Sequence, residues 1–189
     1  MALAAGNIAF VGFNADGNDN LSFVALVDIN PNEVIIFEEN EWNGTGWVDT
    51  NEGAYSWTAT SLVAAGTVVN IDNISAGTFA ASTGTVAKPV TGRGTAVGIA
   101  GSNEVIYAYQ GTAASTVFLT AIANSGVIAS NGLLTGTGLT AGVNAIEFTA
   151  GQDVLAFNGS RNSKSSFAAY LTDINNPTNW ITQDGTGNQ

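Results

Sequence analysis

Two oxygen-rich stretches hold most of the side chains in this sequence that could do chemistry. The first is Asn14, Asp16, Asn18, Asp19 and Asn20; the second is Glu38, Glu39, Asn40 and Glu41, followed by Asp49 and Glu52. Hard cations such as Ca²⁺ take about six to eight oxygen ligands, and alternating Asn and Asp in a loop containing Gly17 can wrap one. No Lys or Arg occurs before Lys88, so these carboxylates repel one another unless a cation neutralises them. The candidate ligands are Asn14, Asp16, Asn18, Asp19, Glu39 and Glu41, with Ca²⁺ as the candidate ion. The run lacks EF-hand spacing and its closing Glu, so it is a generic acidic turn as a motif. The same residues also serve a plainer purpose: Asp and Asn make Asx-turns between strands while the Glu side chains stay solvated.

Glu38, Glu39 and Glu41 lie beside Trp42 and Trp47, which suggests a sugar platform or a hydrolase using two acids about 5 to 9.5 Å apart. On a strand Glu39 and Glu41 would share a face and Glu38 would oppose them, so a turn must intervene before any pair forms. Core or edge Trp residues with satisfied N–H groups account for the same pattern, and the residues favour that reading. No catalytic residue is assigned. The chain has no His and no Cys, which excludes Ser-His-Asp and Cys-His nucleophiles, thiol redox sites and His-ligated metals. A formal charge of −11 disfavours nucleic acid, whose affinity comes largely from Lys and Arg displacing counterions.

The elements that must position these residues are short strands. Of 189 residues 45% are apolar and only 10% charged, with 23 Gly, a composition that folds and turns often. Apolar runs span 8–13, 21–29, 33–37, 54–58, 67–71, 96–99, 105–109, 145–149 and 154–157. Between them lie turn formers such as Asn30-Pro31-Asn32 and Asn43-Gly44-Thr45-Gly46. About nine to ten strands in a single domain over 1–182 indicate a β-sandwich, with 183–189 as a polar tail or linker. Helices are expected at Ser115–Ala123 and Ser165–Leu171, where aromatic and Ala residues recur at helical spacing. These follow Glu104–Gly111 and Asp153–Gly159, two similar segments that read as pseudo-symmetry in one sheet, with the acid before each strand in a matching role. The Gly, Ala, Ser and Thr of 75–95 and 135–142 read as exposed loops. No stretch reaches the roughly 18 apolar residues of a membrane span, and Met1–Gly6 lacks the basic start of a secretory signal.

The first half resembles the lamin-tail-domain superfamily, in its bacterial form. The likeness rests on the opening strand and acidic turn at Ala5–Gly17, the strand Phe23–Ile29, the turn Glu38–Trp42 and the strand entry Leu62–Val69, about 70 residues in all. Where the family has Glu in its second strand this chain has Ala25, and where it has Pro before Gly this chain has Ala65. The resemblance implies an immunoglobulin-like β-sandwich within a secreted or surface-associated bacterial protein, acting in binding or assembly.

Taken together, the expectation is a non-catalytic module of an extracellular surface or matrix, stabilised by Ca²⁺ and self-assembling into filaments or layers. Lys88, Arg93, Arg161 and Lys164 would meet the acidic half of another copy, and the strand 8–13 would add to a neighbour's open sheet edge. The alternatives are a glycan-binding module using Trp42, Trp47 or Trp57, and a metal-dependent hydrolase using Glu39 and Glu41.

Overall fold

The computed structural model describes residues 2–48, 50–88, 90–112 and 114–185. Among these the strands are β1 (Ile8–Asn14), β2 (Asn20–Ala25), β3 (Val34–Glu38), β4 (Ala54–Thr58), β5 (Val68–Asp72), β6 (Ala80–Ala81), β7 (Thr85–Ala87), β8 (Val105–Thr112), β9 (Ser115–Ala123), β10 (Ile146–Glu147), β11 (Val154–Phe157) and β12 (Trp180–Gln183). Helical structure is confined to a 3-10 turn at Ala168–Tyr170, the one-turn helix α1 (Leu171–Ile174) and a 3-10 turn at Pro177–Asn179. The strands form two six-stranded sheets, ordered β12-β11-β1-β2-β5-β6 and β10-β9-β8-β3-β4-β7. They pack as an all-β sandwich. Pairing is antiparallel except between β9 and β10.

The turn chemistry written in the sequence is used directly. Asn32 turns at φ 69°, Gly17 at 74° and Gly44 at 101°. Asn43 Oδ1 accepts the backbone N–H groups of Thr45 and Gly46, both at 3.0 Å, closing an Asx-turn. Between the sheets lies an aromatic core in which Phe23 packs on Phe37 and Trp57, with ring centroids 5.5 and 5.2 Å apart. Burying each such side chain contributes about 1.5–3 kcal/mol.

A second apolar cluster covers the outer face of the second sheet. Ile36, Val105, Tyr107, Tyr109 and Phe118 are buried there beneath Trp42, Trp47 and Leu134, which arrive from the connections after β3 and β9. The second sheet is therefore covered on both faces at β8 and β9, which explains the nearly continuous apolar runs of those strands.

That two-sided cover overturns one expectation. Ser115–Ala123 is a strand, not a helix, paired with β8 from Val105↔Ala123 to Thr112↔Ser115. Phe118 belongs to the outer cluster and Leu119 to the inner core, so burial on both faces imitates helical spacing. The other expected helix, Ser165–Leu171, begins later, at Ala168, and runs to Ile174. The repeat does not make pseudo-symmetry within one sheet. β8 lies in one sheet and β11 in the other, and the segments that follow them are a strand and a helical turn.

Residues 96–99 form no strand; Ile99 is instead tethered to Asp19 at the end of the sandwich. The stretch 75–95 contains β6 and β7 because its backbone pairs with β5 and β4. β1 is flanked on both sides by β2 and β11, so it offers no free edge to a neighbouring copy. Gln183 pairs with Val154 as the last residue of β12, and residues 186–189 lie outside the described residues. Among the described residues no helix is long and apolar enough to cross a membrane.

Candidate functional site

Strand direction gathers the acids at one end of the sandwich. β1, β3, β5 and β9 end there, while β2, β4, β8 and β11 begin there, as the pairings Asn14↔Asn20, Asn14↔Val154, Glu38↔Ala54 and Val105↔Ala123 require. Alternation then decides which acids face inward. Along β3, Ile35 and Phe37 point into the inner core and Ile36 points to the outer cluster. Continuing with period two places Glu39 inward and Glu38 outward. By the same rule Ile106 and Ala108 lead back to Glu104, and Phe23 and Leu21 lead back to Asp19. Three carboxylates, one from the first sheet and two from the second, thus close one end of the interior. Glu39 is 6% exposed, and Asp19 and Glu104 are each 5% exposed.

Tyr55 points to the same place. It stands opposite Phe37 in the β3–β4 register, diagonal to Glu39 on the inner face, and is fully buried. Its hydroxyl has no hydrogen-bond partner, and neither does Glu39 Oε1. Gly53 leaves room for that oxygen: a Cβ there would lie 3.1 Å from Glu39 Oε1.

The electrostatics follow from burial among like charges. Desolvation pushes the Glu39 carboxyl up to about 8, with Glu52 and Asp19 adding to the rise and Lys88 opposing it. Glu104 is pushed up to about 10, again first by desolvation and then by Glu39 and Glu52. Asp19 is raised by desolvation and held back by the Ile99 N–H, which donates to its Oδ2 at 2.6 Å. Burial also raises the Tyr55 phenol, reinforced by Glu39, Asp19 and Glu104. Burial lowers the Lys88 ammonium, while Glu39 acts in the opposite sense.

Glu38, on the outer face, has a different fate. Arg93 Nε donates to its Oε1 at 2.5 Å, the Tyr109 hydroxyl donates to its Oε2, and Asn40 Nδ2 donates to Oε1 at 3.1 Å. The Arg93 guanidinium also lies over the Trp47 ring, 5.1 Å from its centroid. This acid is fully committed within a buried network that fastens the connections after β3 and β7 to β8.

The six candidate ligands are therefore only partly brought together. Asp19 and Glu39 share the inward cluster. Asn14 Oδ1 is taken by the Asp16 N–H at 2.7 Å, an Asx-turn, and Asn18 is exposed. Asp16 Oδ2 and Glu41 Oε2 are buried without partners. Asp49 lies outside the described residues. Among the described residues no three acidic side chains stand close enough to chelate an ion in this arrangement.

The sequence marks Glu104 only as the acid ahead of a repeated strand, and does not single out Tyr55 at all; inward alternation from β8 and β4 is the signal that finds both. Asp153, the supposed counterpart of Glu104, differs: it is half-buried, and its backbone carbonyl accepts the Ala15 N–H at 2.8 Å. The three Trp residues considered for a sugar platform all pack against the chain's own side chains. Trp57 is fully buried and donates to Thr83 O at 2.7 Å; Trp42 is buried and donates to Thr135 O at 2.9 Å; Trp47 is half-buried against Tyr107, Tyr109 and Phe118. Compared with protein-family models, curated proteins and solved structures, the chain matches none.

Proposed function

We propose that this chain is a non-catalytic module of an extracellular surface or matrix, and that Ca²⁺ stabilises the acidic end of its sandwich. The observation that carries this reading is the inward cluster of Asp19, Glu39 and Glu104 around the unpartnered Tyr55 hydroxyl and the unpartnered Glu39 Oε1. Buried carboxylates either hold protons or acquire a counter-cation, because an unpaired buried charge is costly. Oxygen-only groups are the donors that Ca²⁺ prefers, and its flexible coordination tolerates side chains adjusting around it. Glu39, just past the end of β3, and Glu104, just before the start of the adjacent antiparallel β8, would supply carboxylates from the second sheet and Asp19 from the first, their side chains closing in on one ion that ties the two layers together.

The non-catalytic part of the reading is supported by how the polar side chains are used. Glu38, Arg93 and Tyr109 hold loops to the sheet, and the Trp residues fill cores. The lamin-tail likeness of the first half belongs to the same reading, as does assembly of copies. Arg93 and Lys164 are taken up by Glu38 and Asp173 within the chain, which leaves less positive charge for a head-to-tail contact. An assembly would instead use β12, an edge strand on which Ile181 is 55% exposed.

Scanning calorimetry at about pH 8, in millimolar Ca²⁺ and in chelator, tests the metal. A ligand at a hundred times its Kd adds about 2.7 kcal/mol, so a rise of several degrees in Tm is expected. Glu39→Gln and Glu104→Gln should each diminish that rise. An unchanged Tm in the wild-type chain would overturn the metal part of the proposal. Electron microscopy of the same samples reports assembly separately.

A further inference from the structure

At the opposite half of the molecule, the outer face of the first sheet carries apolar side chains where solvent-facing residues are the rule. Val11 from β1, Val24 from β2 and Val68 from β5 lie there, and Val68 is 43% exposed. The segment that follows β11 folds over only part of this face. It seats Ile174, which is 2% exposed, and stands Phe167 at the rim with 48% of its surface in solvent. A groove of about 410 Å³ remains between them, within the range of small-molecule sites, about 300–1,000 Å³.

Two details show that the groove is built into the fold. Gly66, at φ 90°, is covered by the Phe167 ring so closely that a Cβ would lie 2.3 Å from Cε1, and the ring therefore rests on bare backbone. Arg161 lines the groove, anchored by a hydrogen bond from Nη2 to the Phe157 carbonyl at 3.1 Å.

Charge supplies the identity of the occupant. Among the described residues Arg93 and Lys164 form ion pairs and Lys88 faces Glu39, whereas Arg161 has no carboxylate within ion-pair distance. In a chain of net charge −11, an uncompensated guanidinium beside an apolar floor favours one kind of ligand, an acidic head on an apolar tail.

We propose that this groove binds a small carboxylate amphiphile, its head on Arg161 and its tail along Val11, Val24 and Val68 beside Phe167. The site is independent of the Ca²⁺ reading and can fail or stand without it.

The probe is laurate, titrated below its micelle concentration into the whole chain by calorimetry and by ¹H–¹⁵N NMR, with dodecanol and dodecyltrimethylammonium as companions. Laurate should bind with micromolar affinity and shift the amides of Val24, Val68 and Asn70. Arg161→Gln should weaken laurate by about tenfold, the scale of one charge-assisted contact, and leave dodecanol unchanged. Val68→Glu, at an exposed position that does not endanger folding, should abolish laurate binding. The proposal is overturned if laurate does not bind the wild-type chain. It is equally overturned if Arg161→Gln binds laurate as well as wild type, if the ammonium surfactant binds as tightly as laurate, or if the shifted amides lie elsewhere.

Discussion

Phe37 and Tyr55 face each other across β3 and β4 with their rings stacked, centroids 5.7 Å apart and planes at 24°. Phe79 packs on the other contact of Tyr55 at 5.1 Å. Packed against both rings, the phenol carries a hydroxyl with no hydrogen-bond partner, and the charges of Glu39, Asp19 and Glu104 bear on it.

Tyr55→Phe removes that buried hydroxyl and keeps the stack. Leaving a polar group unsatisfied costs about 1–3 kcal/mol, so in chelator the variant should be as stable as wild type or more stable by about 1 kcal/mol. With Ca²⁺ present the advantage should shrink, because the wild-type hydroxyl then has an ion to face. Urea denaturation in the two buffers measures both values; a loss of stability in chelator would show that the hydroxyl is partnered in solution.

In chelator, stability should fall as pH rises. Glu39 and Glu104 have folded-state values of about 8 and about 10 against an ordinary 4.5. The folded chain therefore binds more protons than the unfolded chain between these limits. The contribution is fully present below about pH 4.5 and is lost as pH climbs through about 8 for Glu39 and about 10 for Glu104. Denaturation near pH 5 and near pH 9 should differ in that sense, and Glu104→Gln should flatten the slope. A stability that rises across this interval would contradict the burial of both carboxyls.

Arg93→Ala leaves Glu38 buried beside Tyr109 and Asn40 with no cation. Removing one partner of a buried pair costs about 3–5 kcal/mol, and both side chains here are buried, at 6% and 0% exposure. The double change Arg93→Met with Glu38→Gln should recover most of that loss, since it removes the charge and keeps the volume. Thermal melts of the two variants against wild type provide the comparison.

Gly84→Ala probes a turn that the β-rich composition conceals. Gly84 sits at φ 77° between β6 and β7, and a Cβ would meet Thr58 O and Trp57 Nε1, each at 2.5 Å. The substitution should cost more than about 1 kcal/mol and disturb the Trp57 bond to Thr83, seen as a shift in Trp fluorescence. Gly92→Ala, also at positive φ but with nothing within 4 Å of its Cβ, serves as the control for backbone strain alone.

The amino-acid sequence determined the class of fold and the chemistry open to it. Short apolar runs broken by Asn, Asp, Gly and Pro specify short strands and tight turns, and Asn32, Gly17 and Gly44 take the positive φ their types allow. The absence of His and Cys and the lack of Lys and Arg before Lys88 are likewise matters of composition. Tertiary structure decided which acids count. Asp16, Asn18 and Asp19 are neighbours in sequence, yet only Asp19 turns inward, where it meets Glu39 and Glu104 across 20 and 85 positions of chain. Local residue types encode turns because turns are closed by near neighbours. The inward cluster, the strand nature of Ser115–Ala123 and the groove beside Phe167 depend on which sheet each strand joins and what covers its outer face, and both are set by contacts between residues far apart in the chain.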